Sequence, residues 1–240
     1  MNCETSSVED QAATLPSLHR LVGRAKRKTS LSLTVSRLLP DGTDVILDLE
    51  PSGPVIAPGE LFGAKGPLTV EIGPGGGEFL LAMAAANPGR NFLAVEYKRI
   101  RLEKIARRIV RAGLTNVRVV WADAREFVER FLPPASIDGF VVNFPDPWSK
   151  RRHRRRRLLQ GPFLAQVARV LVRGGTLTVG TDVIDYARQV MGALESSGEW
   201  ENVHGRAVLV DRIEDQVTTL FESRFRKQGV SVHFLRYRKH

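Results

Sequence analysis

The feature that most limits what this chain can become is an apolar run halted by alternating glycines. Leu68-Thr69-Val70-Glu71-Ile72 is followed by Gly73-Pro74-Gly75-Gly76-Gly77 and then by a Leu/Ala/Met-rich stretch over 78–87. The first piece predicts a strand, and the last a helix that Pro88 stops. Strand, glycine turn and helix open a βαβ unit, whose turn lets the backbone approach a ligand lying beyond the strand end. The pattern then recurs. Residues 91–96, 117–121, 137–144 and 176–180 read as strands, and 98–112, 124–131, 158–171 and 182–196 as helices, with Gly113 closing the first of these. Residues 230–237 read as a late antiparallel strand. Alternation at this spacing predicts an α/β fold, with a mostly parallel central sheet, right-handed crossovers and helices on both faces.

The glycine spacing narrows the ligand. A dinucleotide turn places glycines at positions 1, 3 and 6, whereas Gly73, Gly75 and Gly77 fall at 1, 3 and 5 and Glu78 takes position 6. A carboxylate at a helix start repels a pyrophosphate. Glu96 closes the second strand 19 residues after Gly77, where it can accept both ribose hydroxyl protons. Asp123, just past the third strand, is placed to accept from an adenine amino group. A glycine turn and two acids on one sheet edge suit an adenosine that lacks a diphosphate and carries positive charge, which describes S-adenosylmethionine.

Charge points to a second partner. The chain has a formal net charge of +10, and seven of the eight residues 150–157 are Lys or Arg. So dense a run attracts a polyanion through counterion release, which makes Arg151, Arg152, Arg154, Arg155, Arg156 and Arg157 candidate RNA contacts. The 240 residues divide into a polar tail (1–16), an extension (17–66) holding a second basic cluster from Arg20 to Lys28, and a main domain (67–240). The lone cysteine, Cys3, excludes an internal disulfide. The acidic start (Glu4, Glu9, Asp10) does not fit a secretory signal, and no apolar run reaches membrane-span length. These features predict a cytoplasmic protein with no membrane contact, and its histidines are too scattered to form a metal site. A monomer or a homodimer is expected.

The strand over 137–144 runs into Asn143-Phe144-Pro145-Asp146-Pro147-Trp148, then Ser149 and Lys150. Two prolines hold the Asp146 backbone, and Trp148 offers a flat face to a base. Together with Glu71-Ile72-Gly73-Pro74-Gly75-Gly76-Gly77, Asn87-Pro88, Asn91-Phe92, Val95-Glu96, Ala122-Asp123-Ala124, Thr181-Asp182 and Thr219-Leu220-Phe221-Glu222, this motif resembles the bacterial tRNA (guanine-N7)-methyltransferase family. The resemblance runs from about residue 67 to the C-terminus. It implies a Rossmann-like class I S-adenosylmethionine-dependent methyltransferase that forms 7-methylguanosine in tRNA, at the variable-loop guanine. It also implies that Glu71, Glu96, Asp123 and Asp146 line the cofactor pocket, that Lys150, Asp182, Thr219 and Glu222 contact the target guanosine, and that Asp146 is the catalytic acid.

The chemistry asks little of the protein in proton transfer. Guanine N7 carries an unprotonated lone pair, so alignment and exclusion of water matter more than a general base. The N7/O6 edge holds only acceptors, while N1–H and the N2 amine are donors that a carboxylate can receive. An acid, Asp146 or Asp182, is therefore expected to grip that second edge, with Lys150 facing O6 or a phosphate. The base must be looped out or flipped. Asn143, just before the motif, leaves an adenine amino group open as a different acceptor.

Overall fold

The structure is a computed structural model that describes residues 38–49, 56, 58–62 and 66–240. The tail expected over 1–16 and the cluster from Arg20 to Lys28 lie outside the described residues.

Among the described residues eight strands form one sheet: β1 (Ile46–Leu47), β2 (Leu68–Ile72), β3 (Asn91–Glu96), β4 (Val117–Trp121), β5 (Ile137–Asn143), β6 (Leu171–Thr181), β7 (Trp200–Asn202) and β8 (His233–Lys239). Their order is β1-β4-β3-β2-β5-β6-β8-β7. Every pair among β1 to β6 is parallel, and β8 runs antiparallel to both β6 and β7. The chain moves outward from β2 through β3 to β4, then returns to the other side of β2 with β5 and β6. The direction of travel thus reverses between β2 and β5, and in such sheets ligands lie beyond the strand ends at that reversal.

Among the described residues six α-helices accompany the strands: α1 (Glu78–Ala86), α2 (Arg99–Ala112), α3 (Ala124–Phe131), α4 (Gly161–Val170), α5 (Ile184–Ser197) and α6 (Leu220–Lys227). Leu102, Ile105, Ala106 and Ile109 recur at helical spacing along α2 and are all buried. With Leu80 and Ala84 of α1 they pack on Phe92 and Ala94 of β3 and on Val117 and Val119 of β4. Every residue of β3 is buried, so the intervening Leu93 and Val95 must pack toward the opposite face. There α3 touches β3 and α4, and α4 touches α5. Helices therefore cover both faces.

Several boundaries differ from the sequence expectation. Strand β6 begins at Leu171, five residues early, and runs through a left-handed Gly174 and a register shift opposite Ile137 and Gly139. Strand β7 and helix α6 are absent from the sequence expectation, whereas β1 falls within Val45-Ile46-Leu47, which reads in the sequence as a short β-like run. Ile46 and Leu47 pair with Val119 and Val120, so the boundary drawn on composition at residue 67 falls between strands of a single sheet.

Candidate functional site

The turn after β2 carries three left-handed residues, Gly73 (φ 70°), Gly75 (φ 60°) and Gly77 (φ 82°). A side chain at Gly73 would meet nothing within 4 Å, so the left-handed backbone, and not crowding, is what calls for glycine there. Gly73 N–H donates to the Val95 carbonyl, tying the turn to the end of β3. Glu78 begins α1 paired with Arg108.

Two adjoining cavities lie over this edge. The larger, about 520 Å³, is lined by Glu71, Glu78, Asp182, Thr219 and Phe221 among others. The smaller, about 320 Å³, is lined by Glu96, Asp123 and Trp148. Gly73, Arg101, Asn143, Phe144, Pro145 and Asp146 line both, so the motif loop forms the shared wall.

The strand-end acids are buried and incompletely partnered. Glu96 is 1% exposed, and its Oε1 accepts from Lys98 N at 2.8 Å. Its Oε2 has no hydrogen-bond partner, although Arg101 stands 3.9 Å away. Burial pushes the carboxyl up, while the Lys98 N–H and the Arg101 charge pull it back. Glu71 is 3% exposed and its Oε2 also lacks a partner. Burial, reinforced by the nearby Glu78 charge, raises its pKa to about 8. Asn143, two residues beyond the Val141 that pairs with Glu71, has both side-chain amide atoms buried and unpartnered. Buried polar atoms in folded chains are as a rule satisfied by protein, ordered water or a ligand, so this group of acceptors and donors is available to a polar partner.

The other acids stand on loops. Asp123 caps α3, its Oδ1 accepting from Arg125 N at 2.9 Å, which leaves Oδ2 for a ligand. Asp146 is exposed at the junction of the two cavities. Its neighbours Phe144 (φ 49°) and Trp148 (φ 41°) are both left-handed, an uncommon backbone state for such bulky side chains. The Phe144 ring packs near Phe221, Phe225 and Phe234.

The substrate residues implied by resemblance do not share one surrounding. Asp182 lines the larger cavity. Thr219 lines it too, while its Oγ1 accepts from Glu222 N at 2.9 Å as the cap of α6. Glu222 is buried, is bonded to Arg226 and lines a neighbouring cavity of about 340 Å³. Lys150 lies exposed ahead of the 3-10 turn Arg151–Arg156 and lines neither of the two main cavities.

Within that turn Arg151, Arg152, Arg154, Arg155 and Arg156 are exposed. Arg157 differs: it is 1% exposed and faces inward, because Pro147, Gln189 and Asp185 take its donors. A phosphate cannot reach it there, which corrects the expectation of a sixth arginine facing RNA. Trp148 borders the smaller cavity, and the Arg156 guanidinium, 5.0 Å from its ring centre, covers one of its two faces. Sequence reasoning passed over Phe221, a half-exposed ring across from Gly75, although it stands inside the Thr219–Glu222 motif. Among the described residues no cluster of His, Cys, Asp or Glu could hold a metal ion, and no helix is long and apolar enough to cross a membrane.

Comparison with known proteins adds to this geometry. A family profile described as a putative methyltransferase matches residues 65–235. The tRNA (guanine-N(7)-)-methyltransferase of Halorhodospira halophila is 41% identical over 178 residues, covering 74% of this chain and 77% of that protein. The protein of the same name from Alkalilimnicola ehrlichii is 37% identical over 193 residues, covering 80% and 81%. Among solved structures, the 16S rRNA methyltransferase KamB aligns with a TM-score of 0.56 at 18% identity, covering 75% of this chain and 92% of that one. At that identity the likeness speaks for the fold alone.

Proposed function

The chain belongs to the tRNA (guanine-N(7)-)-methyltransferase family, and from that premise we propose that it transfers the methyl group of S-adenosylmethionine to N7 of the variable-loop guanine in tRNA. The observation that carries this is the pair of buried, unpartnered carboxylate oxygens, Glu71 Oε2 and Glu96 Oε2, flanking a left-handed glycine turn at the reversal of the sheet. When bound, S-adenosylmethionine supplies an electrophilic methyl group on a positively charged sulfur. Glu96 Oε2 fits a ribose hydroxyl, and Asp123 Oδ2 fits the adenine amino group. Glu71, with Asn143 close by, fits the ammonium at the amino-acid end, a positive group that favours an ionised carboxylate.

On the target side the residues orient the base and leave proton transfer aside, since methylation at N7 releases no proton from the nitrogen. Asp182, confined to the larger cavity, suits the N1–H and N2 amine edge. Asp146, on the wall between the cavities, is placed to align base and cofactor. The exposed arginines of the 3-10 turn suit the phosphate backbone around the target. The test is to incubate the protein with an unmodified tRNA transcript and methyl-labelled cofactor, then digest and map the labelled nucleoside. One 7-methylguanosine in the variable loop is expected. Label in an adenine would overturn the acceptor, and label at another guanine would overturn the position.

A further inference from the structure

Arg157 ends the basic run in sequence but does not share its surroundings. Its Nε donates to the Pro147 carbonyl at 2.8 Å, Nη1 to Gln189 Oε1 at 2.6 Å and Nη2 to Asp185 Oδ2 at 3.0 Å. Its guanidinium carbon lies 4.6 Å from the centre of the Tyr186 ring. Gln189, Asp185 and Tyr186 all belong to α5, so the side chain bridges that helix to the motif loop. Asp185 is shared with Arg154, 3.2 Å away, which is half-exposed.

The loop has few handles. Pro145 and Pro147 carry no N–H, so hydrogen bonds to this stretch must use its remaining amides and its carbonyls. On the near side of Asp146, Phe144 N–H donates to the Gly180 carbonyl at 2.8 Å. On the far side, the Pro147 carbonyl receives Arg157 Nε. Asp146 thus sits between one pin from β6 and one from a buried guanidinium. Lysine cannot replace the second, because a point charge on a flexible stem lacks the planar fork that reaches three partners at once.

We propose that Arg157 is a positioning residue that fixes the Asp146 carboxylate by anchoring Pro147 to α5, and that it makes no contact with RNA. The inference rests on the assignment of Asp146 to the transfer centre. A displacement of the order of 1 Å at such a centre can cost about 10²-fold in rate.

The test uses the full chain, unmodified tRNA transcript and S-adenosylmethionine, comparing R157K, R157M and D185N with R155A. At a temperature where circular dichroism shows each variant folded, R157K should lower kcat roughly 10–10²-fold. Its tRNA Kd, and the slope of log Kd against log salt, should match wild type. D185N should give a smaller loss of the same kind, and it carries the test with R157K should R157M fail to fold. R155A should instead flatten the salt slope by roughly 0.7–0.9. A wild-type kcat in R157K with only a lowered Tm would overturn the inference in favour of a purely structural role. A salt slope altered as in R155A would overturn it in favour of an RNA contact. An unchanged slope in R155A would count against the RNA role of the turn while leaving the kcat result to decide on Arg157. Normal transfer by D146N would remove the premise itself.

Discussion

The two sides of the cleft are held by opposite means. On one side, Glu71 and Glu96 project from the ends of β2 and β3, almost wholly buried. Their positions follow from strand register, and their unpartnered oxygens make the half proposed for the cofactor a preformed but costly arrangement. On the other side, Asp146 is exposed on a loop between prolines, where desolvation does little and backbone geometry does most of the positioning. The buried side should therefore govern affinity and respond to pH, and the exposed side should govern rate.

Asp146→Asn should break that division most visibly. The change is nearly isosteric and removes one preorganised charge, so methyl transfer should fall about 10²–10³-fold with cofactor affinity little altered. Single-turnover kinetics at saturating cofactor and tRNA would measure it. A large loss of cofactor affinity without a loss of rate would move Asp146 to the binding side. Glu96→Ala is the converse case. Loss of a charge-assisted hydrogen bond from a buried site should weaken cofactor binding by about 1.5–3 kcal/mol, as read by calorimetry, with the rate at saturation largely kept.

A pH titration sharpens the contrast. Burial holds the Glu71 pKa at about 8, so without ligand the group is protonated at neutral pH. A cationic ligand favours the carboxylate, so binding below pH 8 releases up to one proton. Affinity should rise with pH by at most about tenfold per unit and level off above pH 8. Calorimetry in buffers of differing ionisation enthalpy would count the proton, and Glu71→Gln should flatten the profile. The linked effect on folding has the opposite sense. The folded-state pKa lies above the ordinary 4.5, so the stability tied to this proton is complete at low pH and declines as pH climbs toward 8. The smallest effect belongs to Thr219. As the cap of α6, its replacement by alanine should cost about 1 kcal/mol in denaturant unfolding. A rise in tRNA KM without that loss would make it a substrate contact instead.

What could be read from sequence follows the same division. Strands β2, β3 and β4 and helix α3 have the bounds their periodicity predicts, because each is long enough to show its period and is bounded by glycine, proline or a capping acid. Strand β1 shows only as the short β-like run Val45-Ile46-Leu47, and β7 spans three residues, too short for alternation to register. Helix α6 leaves Leu220 and Phe221 exposed and buries only Glu222. It therefore lacks an inward apolar stripe, and its one signal is the Thr-x-x-Glu capping pattern. Arg157 was illegible for another reason. Within a run of arginines, composition cannot separate the one that turns inward, and only the Leu158-Leu159 that follow hint that the chain is re-entering the core. Glu71 was reached through resemblance, since a lone acid within an apolar strand does not say what partner it awaits.

The left-handed backbone at Phe144 and Trp148 sets two selective pressures against each other. Each residue holds a conformation that costs on the order of 1–3 kcal/mol for a bulky side chain. Glycine would remove that cost, but it would also remove the rings that meet Phe225 and Arg156 and loosen the frame around Asp146. Variants selected for heat tolerance alone should therefore tolerate glycine, and no other small residue, at these two positions, and selection for turnover should restore the aromatics. The loop is where this protein gives up resilience in exchange for a fixed acid.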